Sequence, residues 1–158
     1  MKLYLAQHGE AVPATEDPER PLSAQGRRDV RAVADLLQAA GVRVERVWHS
    51  GKTRAAQTAK LLAGAVLPRG RKPQSVEGIG PNAPVAEFII DADVWEEDTL
   101  VVGHLPFMAR LVALLTTGDS VRDIVGYYPG SIVCLERADA GHWVLLWMIR
   151  PDILAVPD

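Results

Sequence analysis

Thr99-Leu100-Val101-Val102-Gly103-His104-Leu105-Pro106 is the stretch on which the fold turns. Its first four residues are an unbroken β-branched and aliphatic run, the pattern of a strand buried on both faces inside a parallel sheet. Gly103 and His104 end the run. Pro106 then opens a helical pattern that continues to Leu115, because proline lacks the N–H that a first helical turn leaves unused. Parallel sheets are assembled from such strand-turn-helix units.

The same unit occurs twice upstream. Lys2 to Ala6 is a short β-type run followed by Gln7, His8 and Gly9, and Pro13 to Pro21 reads as an irregular loop. Ser23 can cap a helix in which Val30, Val33, Leu36 and Leu37 recur at helical spacing, with Gly41 where the C-terminus wants a left-handed residue. Val44 to His49 is the next strand. Arg54 to Leu62 is the next helix, with Ala55, Ala59 and Leu62 on one face and Gly64, Pro68 and Gly70 ending it. Between Arg69 and Pro84 the chain is rich in Gly, Pro and charge, with one short strand near Ser75 and Val76, and Pro84 opens a helix towards Asp91. Two apolar runs, Ser131 to Leu135 and Trp143 to Ile149, flank Asp139-Ala140-Gly141 and predict a closing antiparallel hairpin. The sum is an α/β sandwich with a mostly parallel sheet, in a single domain over residues 1–158.

Composition agrees. The 158 residues, 48% hydrophobic and 23% charged, suit one globular domain burying roughly 70% of its unfolded surface. A net charge of -3 argues against a non-specific nucleic-acid binder, yet residues 1–72 carry 13 basic and 7 acidic side chains while residues 73–158 carry 4 and 13. The single cysteine, Cys134, excludes an internal disulfide framework and any multi-cysteine zinc site, and is compatible with a reducing cytoplasm. The apolar runs at Met1 and at Trp143 to Ile149 are too short for a signal-peptide core or a bilayer span, so a cytoplasmic, non-membrane protein is expected.

His8 and His104 each follow a predicted parallel strand beside a glycine. Ligands bind outside the carboxyl ends of the strands in open α/β sheets, so the two should converge although 96 positions separate them. The alternative is two ordinary polar residues at strand ends. Arg54, near the start of the helix after His49, joins the same rim; a solvated helix arginine is the competing reading. Free N–H groups at a helix start and a guanidinium both suit phosphate oxygens, so two imidazoles with Arg54 describe a phosphoryl site. A neutral imidazole can attack phosphorus and a protonated one can stabilise phosphoryl charge. The sequence offers no metal-ligand set and no cofactor motif.

Other patterns carry less. Gly51-Lys52-Thr53 imitates the end of a P-loop, but Arg46 stands where its first glycine belongs. Gly78-Ile79-Gly80-Pro81 has proline intruding on a dinucleotide loop, and Ser50 lacks a nucleophile-elbow setting. His49 and His142 are read as structural. Trp48, Trp95, Trp143 and Trp147 are read as core or boundary aromatics rather than a base-stacking platform.

Taken together, Leu5-Ala6-Gln7-His8-Gly9-Glu10-Ala11, Arg20-Pro21-Leu22-Ser23 with Gly26, Ser50-Gly51-Lys52-Thr53-Arg54-Ala55-Ala56-Gln57-Thr58-Ala59 and Val102-Gly103-His104-Leu105-Pro106 resemble the histidine phosphatase superfamily, specifically its SixA-type phosphohistidine phosphatase branch. The resemblance implies a three-layer α/β/α, phosphoglycerate mutase-like fold. It also implies that His8 is the nucleophile, His104 the second pocket histidine, Arg54 a phosphate ligand and Arg20 a ligand or loop anchor, with Gln7 and Gly9 beside the substrate. At one position the chain departs from the family's Arg-His-Gly motif, because Gln7 stands in the arginine's place. Glutamine keeps an amide donor but loses the charge and the two-pronged guanidinium. The general acid is not identified by sequence; Glu77 and Glu10 are candidates.

The expectation is therefore a metal-independent phosphatase acting through phospho-His8 on a phosphorylated protein, with phosphohistidine favoured because its leaving imidazole can itself be protonated near neutral pH. Two rivals remain open: a weakened pseudo-phosphatase that binds phosphorylated partners, and a small-molecule phosphomonoesterase. No nucleic-acid or membrane partner is expected, and nothing in the sequence demands more than a monomer.

Overall fold

The computed structural model describes residues 1–138 and 141–154. In chain order it contains β1 (Lys2–Gln7), α1 (Ala24–Ala39), β2 (Arg46–His49), α2 (Thr53–Val66), β3 (Gln74–Ser75), α3 (Val85–Ala92), β4 (Thr99–Gly103), α4 (Phe107–Thr117), β5 (Ile132–Arg137) and β6 (Trp143–Ile149), with a short 3-10 turn at Pro151–Ile153. The six strands form one sheet in the order β3-β2-β4-β1-β5-β6. β1 to β4 pair in parallel, whereas β5 runs antiparallel to both β1 and β6. The expected mostly parallel sheet with a C-terminal hairpin is thus the observed one, although Asp139 and Ala140 of the hairpin turn lie outside the described residues.

Alternation along the central strands explains the layers. Tyr4 and Ala6 of β1, with Leu100 and Val102 of β4, pack under α1 and α2 against Val33, Leu37, Ala59 and Leu62. Leu3, Leu5 and Val101 face the other way, towards Phe88 of α3 and Phe107 and Leu111 of α4. Both faces of β1 and β4 are therefore covered, which is why these strands read as continuous apolar runs.

Ser23 caps α1 as expected, its hydroxyl accepting the N–H of Gly26. Local details differ from the sequence reading where packing outweighs propensity. α2 runs through Gly64 to Val66, because Ala63 and Val66 bury their side chains in the core and outweigh the roughly 1 kcal/mol cost of an interior glycine. Leu36 is 39% exposed, and Ala34 takes its place on the buried face of α1. β2 begins at Arg46 rather than Val44.

The topology creates a switch point. The chain leaves β1 through α1 to one side of the sheet and leaves β4 through α4 to the other side, so a crevice opens between the carboxyl ends of these two neighbours. Gln7 pairs with Gly103 in register, which sets the next residues, His8 and His104, side by side.

Among the described residues no helix is long and apolar enough to cross a membrane.

Candidate active site

The crevice is a cleft of about 370 Å³ whose lining includes Gln7, His8, Arg20, Arg54 and His104. Five of the six residues expected from sequence thus meet at one place. The imidazole centroids of His8 and His104 stand 5.1 Å apart with the planes tilted by 55°. The His8 backbone N–H donates to the Gly103 carbonyl at 3.0 Å, tying the two strand ends together.

His8 is held in one tautomer. Its Nδ1–H donates to the Gly9 carbonyl at 2.7 Å, while its Nε2 accepts the Nε–H of Arg54 at 3.2 Å. Nε2 therefore carries the lone pair and faces the cleft arginine. Burial, helped by the charges of Arg54 and Arg20, lowers the His8 pKa to about 4 against the opposing pull of the Gly9 carbonyl. Burial, then the neighbouring His8, Arg54, Lys52 and Arg20, lowers that of His104 to about 3. Both imidazoles are consequently neutral at neutral pH.

Gly9, the sixth expected residue, lies behind the cleft wall. Its N–H donates to the Thr58 hydroxyl at 3.0 Å, and that hydroxyl in turn donates to the Arg54 carbonyl at 2.8 Å. A single buried threonine thus links the backbones that carry His8 and Arg54. A side chain at Gly9 would drive its Cβ to 2.7 Å from Val30 of α1, so glycine lets helix and loop approach. Arg20 occupies the left-handed region, with φ 48°, and its Nε–H donates to the Val12 carbonyl at 3.3 Å, anchoring the loop it belongs to.

Sequence reasoning missed Thr58 and Ser50. The Ser50 hydroxyl shares a hydrogen bond with Nε2 of His104. Both were findable in principle. Thr58 follows Arg54 by one helical turn, and Ser50 follows β2 just as His8 follows β1. The Nδ1 of His49 accepts the Gly51 N–H at 3.1 Å, a local bond in the turn after β2. Of the two acid candidates, Glu10 lines the cleft and accepts the Ser23 hydroxyl at 2.6 Å, whereas Glu77 lines a separate groove. Two buried atoms at the site, Gln7 Oε1 and His104 Nδ1, have no hydrogen-bond partner among the described residues.

The depressed histidines make the protein acid-sensitive. Both pKa values lie below the roughly 6.5 of an unfolded chain, so between those values the unfolded state binds more protons. Their contribution is complete above pH 6.5 and is lost as the pH falls towards 4 for His8 and 3 for His104. Urea unfolding at pH 7.5 and 4.5 should show a loss in wild type exceeding that in His8→Gln by on the order of 2 kcal/mol. Equal losses would show that His8 titrates normally in the folded state.

The arrangement can hold a tetrahedral oxyanion between Arg54, Arg20 and His104 with the neutral His8 imidazole beside it. Comparison with known proteins points the same way. Residues 3–74 match the family described as histidine phosphatase superfamily (branch 1). The chain is 32% identical over 127 residues to an uncharacterised protein of Picosynechococcus sp., covering 76% of each. It is 26% identical over 159 residues to phosphohistidine phosphatase SixA of Escherichia coli (strain K12), covering 96% of this chain and 94% of that protein. It also superposes on the structure of the protein histidine phosphatase SixA complexed with tungstate, with a TM-score of 0.84 and 25% identity over 98% of this chain and 100% of that one. Fold, cleft and sequence relatives agree, and the chain belongs to the histidine phosphatase superfamily.

Proposed function

We propose that the protein is a metal-independent phosphatase that hydrolyses protein-borne phosphohistidine through a phosphoryl intermediate on His8. The observation that carries this reading is the fixed tautomer of His8, whose Nε2 lone pair is directed at Arg54 in the cleft. On substrate arrival Arg54 exchanges its imidazole partner for a phosphoryl oxygen, which frees Nε2. Nε2 then forms a bond to phosphorus as the phosphorus bond to the leaving imidazole breaks, and the departing nitrogen keeps the electron pair and takes a proton. Water attacks phospho-His8, releasing phosphate and restoring the imidazole. Burial and then the neighbouring cations depress His104, and a phosphoryl dianion opposes both by favouring its protonated, hydrogen-bond-donating form.

Glu10 is the carboxylate at the cleft and is the proposed source of a proton when the leaving group needs one. A leaving imidazole needs little such help, and the cleft is open, which supports a histidine on a protein surface as the phosphoryl donor. The test is turnover of a phosphohistidine protein beside a generic aryl phosphate. The expected result is multiple turnover with kcat/KM for the phosphohistidine protein well above that for the aryl ester; the reverse order would point to a small-molecule phosphomonoesterase.

A second reading draws on Gln7. With glutamine supplying no charge at the cleft, the site suits a module that binds phosphorylated partners without turning them over. Multiple turnover dependent on His8 would exclude it.

A further inference from the structure

On the far side of the loop that contributes Pro81 to the catalytic cleft lies a second concavity, of about 320 Å³. Its floor is aromatic. Trp48 and Trp95 meet edge to face at 4.8 Å, and Phe88 meets Trp95 in the same manner at 5.3 Å. Arg46 covers the tryptophans at 4.8 and 5.0 Å, and its charge is matched by Glu97 at 3.1 Å. Rigid, mutually packed aromatics present apolar area at little entropic cost, as binding hot spots do. Val94, 76% exposed, extends the apolar lining to the surface.

The two charged residues that line the groove, Glu77 and Asp91, are both acidic. Residues 85–98 carry six carboxylates and no Lys or Arg. Two of the six are committed, Glu97 to Arg46 and Glu96 to Arg137, and Asp98 accepts the Lys2 backbone N–H. Glu87, Asp91 and Asp93, with Glu77 at the groove, are exposed and form no ion pair among the described residues. Unpaired carboxylates around an apolar floor complement lysine or arginine flanking apolar side chains.

From this charge complementarity we infer that the groove docks a basic, amphipathic segment of the protein substrate. The inference rests on the phosphatase reading only for the word substrate. Glu77 at the groove and Pro81 at the cleft are four residues apart, at most about 14 Å of extended chain. A docked segment therefore needs only a few more residues to bring a phosphorylated side chain to His8. The docking surface thereby selects partners that the open cleft does not.

The probe is a short fluorescein-labelled peptide of alternating leucine and lysine pairs, without phosphate, so that binding is read independently of catalysis. Anisotropy should show saturable binding, absent for a leucine–glutamate peptide. The exposed double variant Asp91→Lys/Val94→Lys should raise the Kd at least about tenfold while leaving aryl phosphate turnover unchanged. In spectra of the indole N–H groups, the peptide should move the signals of Trp48 and Trp95 and leave those of Trp143 and Trp147 in place. No binding, binding indifferent to the double variant, or shifts confined to Trp143 and Trp147 would overturn the inference. So would concentration-dependent dimerisation that moves Trp48 and Trp95 without peptide, because the groove would then belong to a second copy. Failure of the phosphatase reading would appear separately, as absent turnover beside intact peptide binding.

Discussion

His8→Asn is expected to remove turnover altogether, a fall on the order of 10⁶-fold if the wild type reaches ordinary phosphatase rates, because the group that bonds to phosphorus is gone. Asparagine retains a polar side chain close in size to the imidazole, so folding should persist. Quenching the wild type during turnover of labelled substrate should trap phosphate that is labile in acid and stable in base, as a phosphorus–nitrogen bond is, and the variant should trap none. Trapping on His8→Asn would end the assignment of the nucleophile. The same variant decides between the enzyme and the binding module: a binding module would retain its affinity for phosphorylated protein and show no His8-dependent turnover before or after the change.

Gln7→Arg should act in the opposite direction and raise kcat by about 100 to 1000-fold, the usual worth of one donor aimed at transition-state charge. The residue is 8% exposed at the end of β1 and borders the cleft, so its replacement reaches the phosphoryl site without moving the strand. Its carbonyl oxygen is buried without a partner, which leaves the NH₂ as the end of the amide able to serve the cleft. A guanidinium supplies charge and two parallel donors where the amide supplies neither. Vanadate and phosphate should bind more tightly for the same reason. The empty variant should be less stable, since it adds a cation beside Arg54 and Arg20, and phosphate should restore its Tm. Unchanged kcat together with unchanged vanadate affinity would mean that the site is built around glutamine.

These expectations lean on different layers of information. The convergence of the candidate residues was legible early, because His8 and His104 each sit just beyond a strand recognisable by its run of apolar residues and Arg54 stands in the first turn of the helix after β2, and parallel sheets collect such positions at one edge. Thr58 was not legible as a site residue. A threonine inside a helix is ordinary, and its importance comes from meeting the N–H of Gly9, 49 residues away. The candidate acids show the same contrast. Glu10 and Glu77 are equivalent as sequence, yet the loop that carries Glu77 turns it towards Trp48 and Trp95, while Glu10 remains at the cleft.

The sign asymmetry of the chain divides in the same way. The excess of acid in its second half is a property of composition, whereas the placing of Asp91 beside an aromatic groove depends on α3 packing against α4 and on Trp95, just after it, meeting Trp48 of β2. Aromatic residues expected at the core or its boundary thus combine, at Trp48 and Trp95, with charges from another element into one surface.

By itself the sequence determined the alternation of strands and helices, the family likeness and the chemical types available at the strand ends, because periodicity, capping and glycine placement are local properties. Only the tertiary structure decided which of those groups meet. The register of Gln7 against Gly103 sets the two histidines side by side, the Gly9 carbonyl selects the tautomer of His8, and burial keeps both imidazoles neutral. Register and burial depend on contacts between residues distant in the chain and on exclusion of water, and the bond between neighbours His8 and Gly9 sits in a loop held by the distant Thr58.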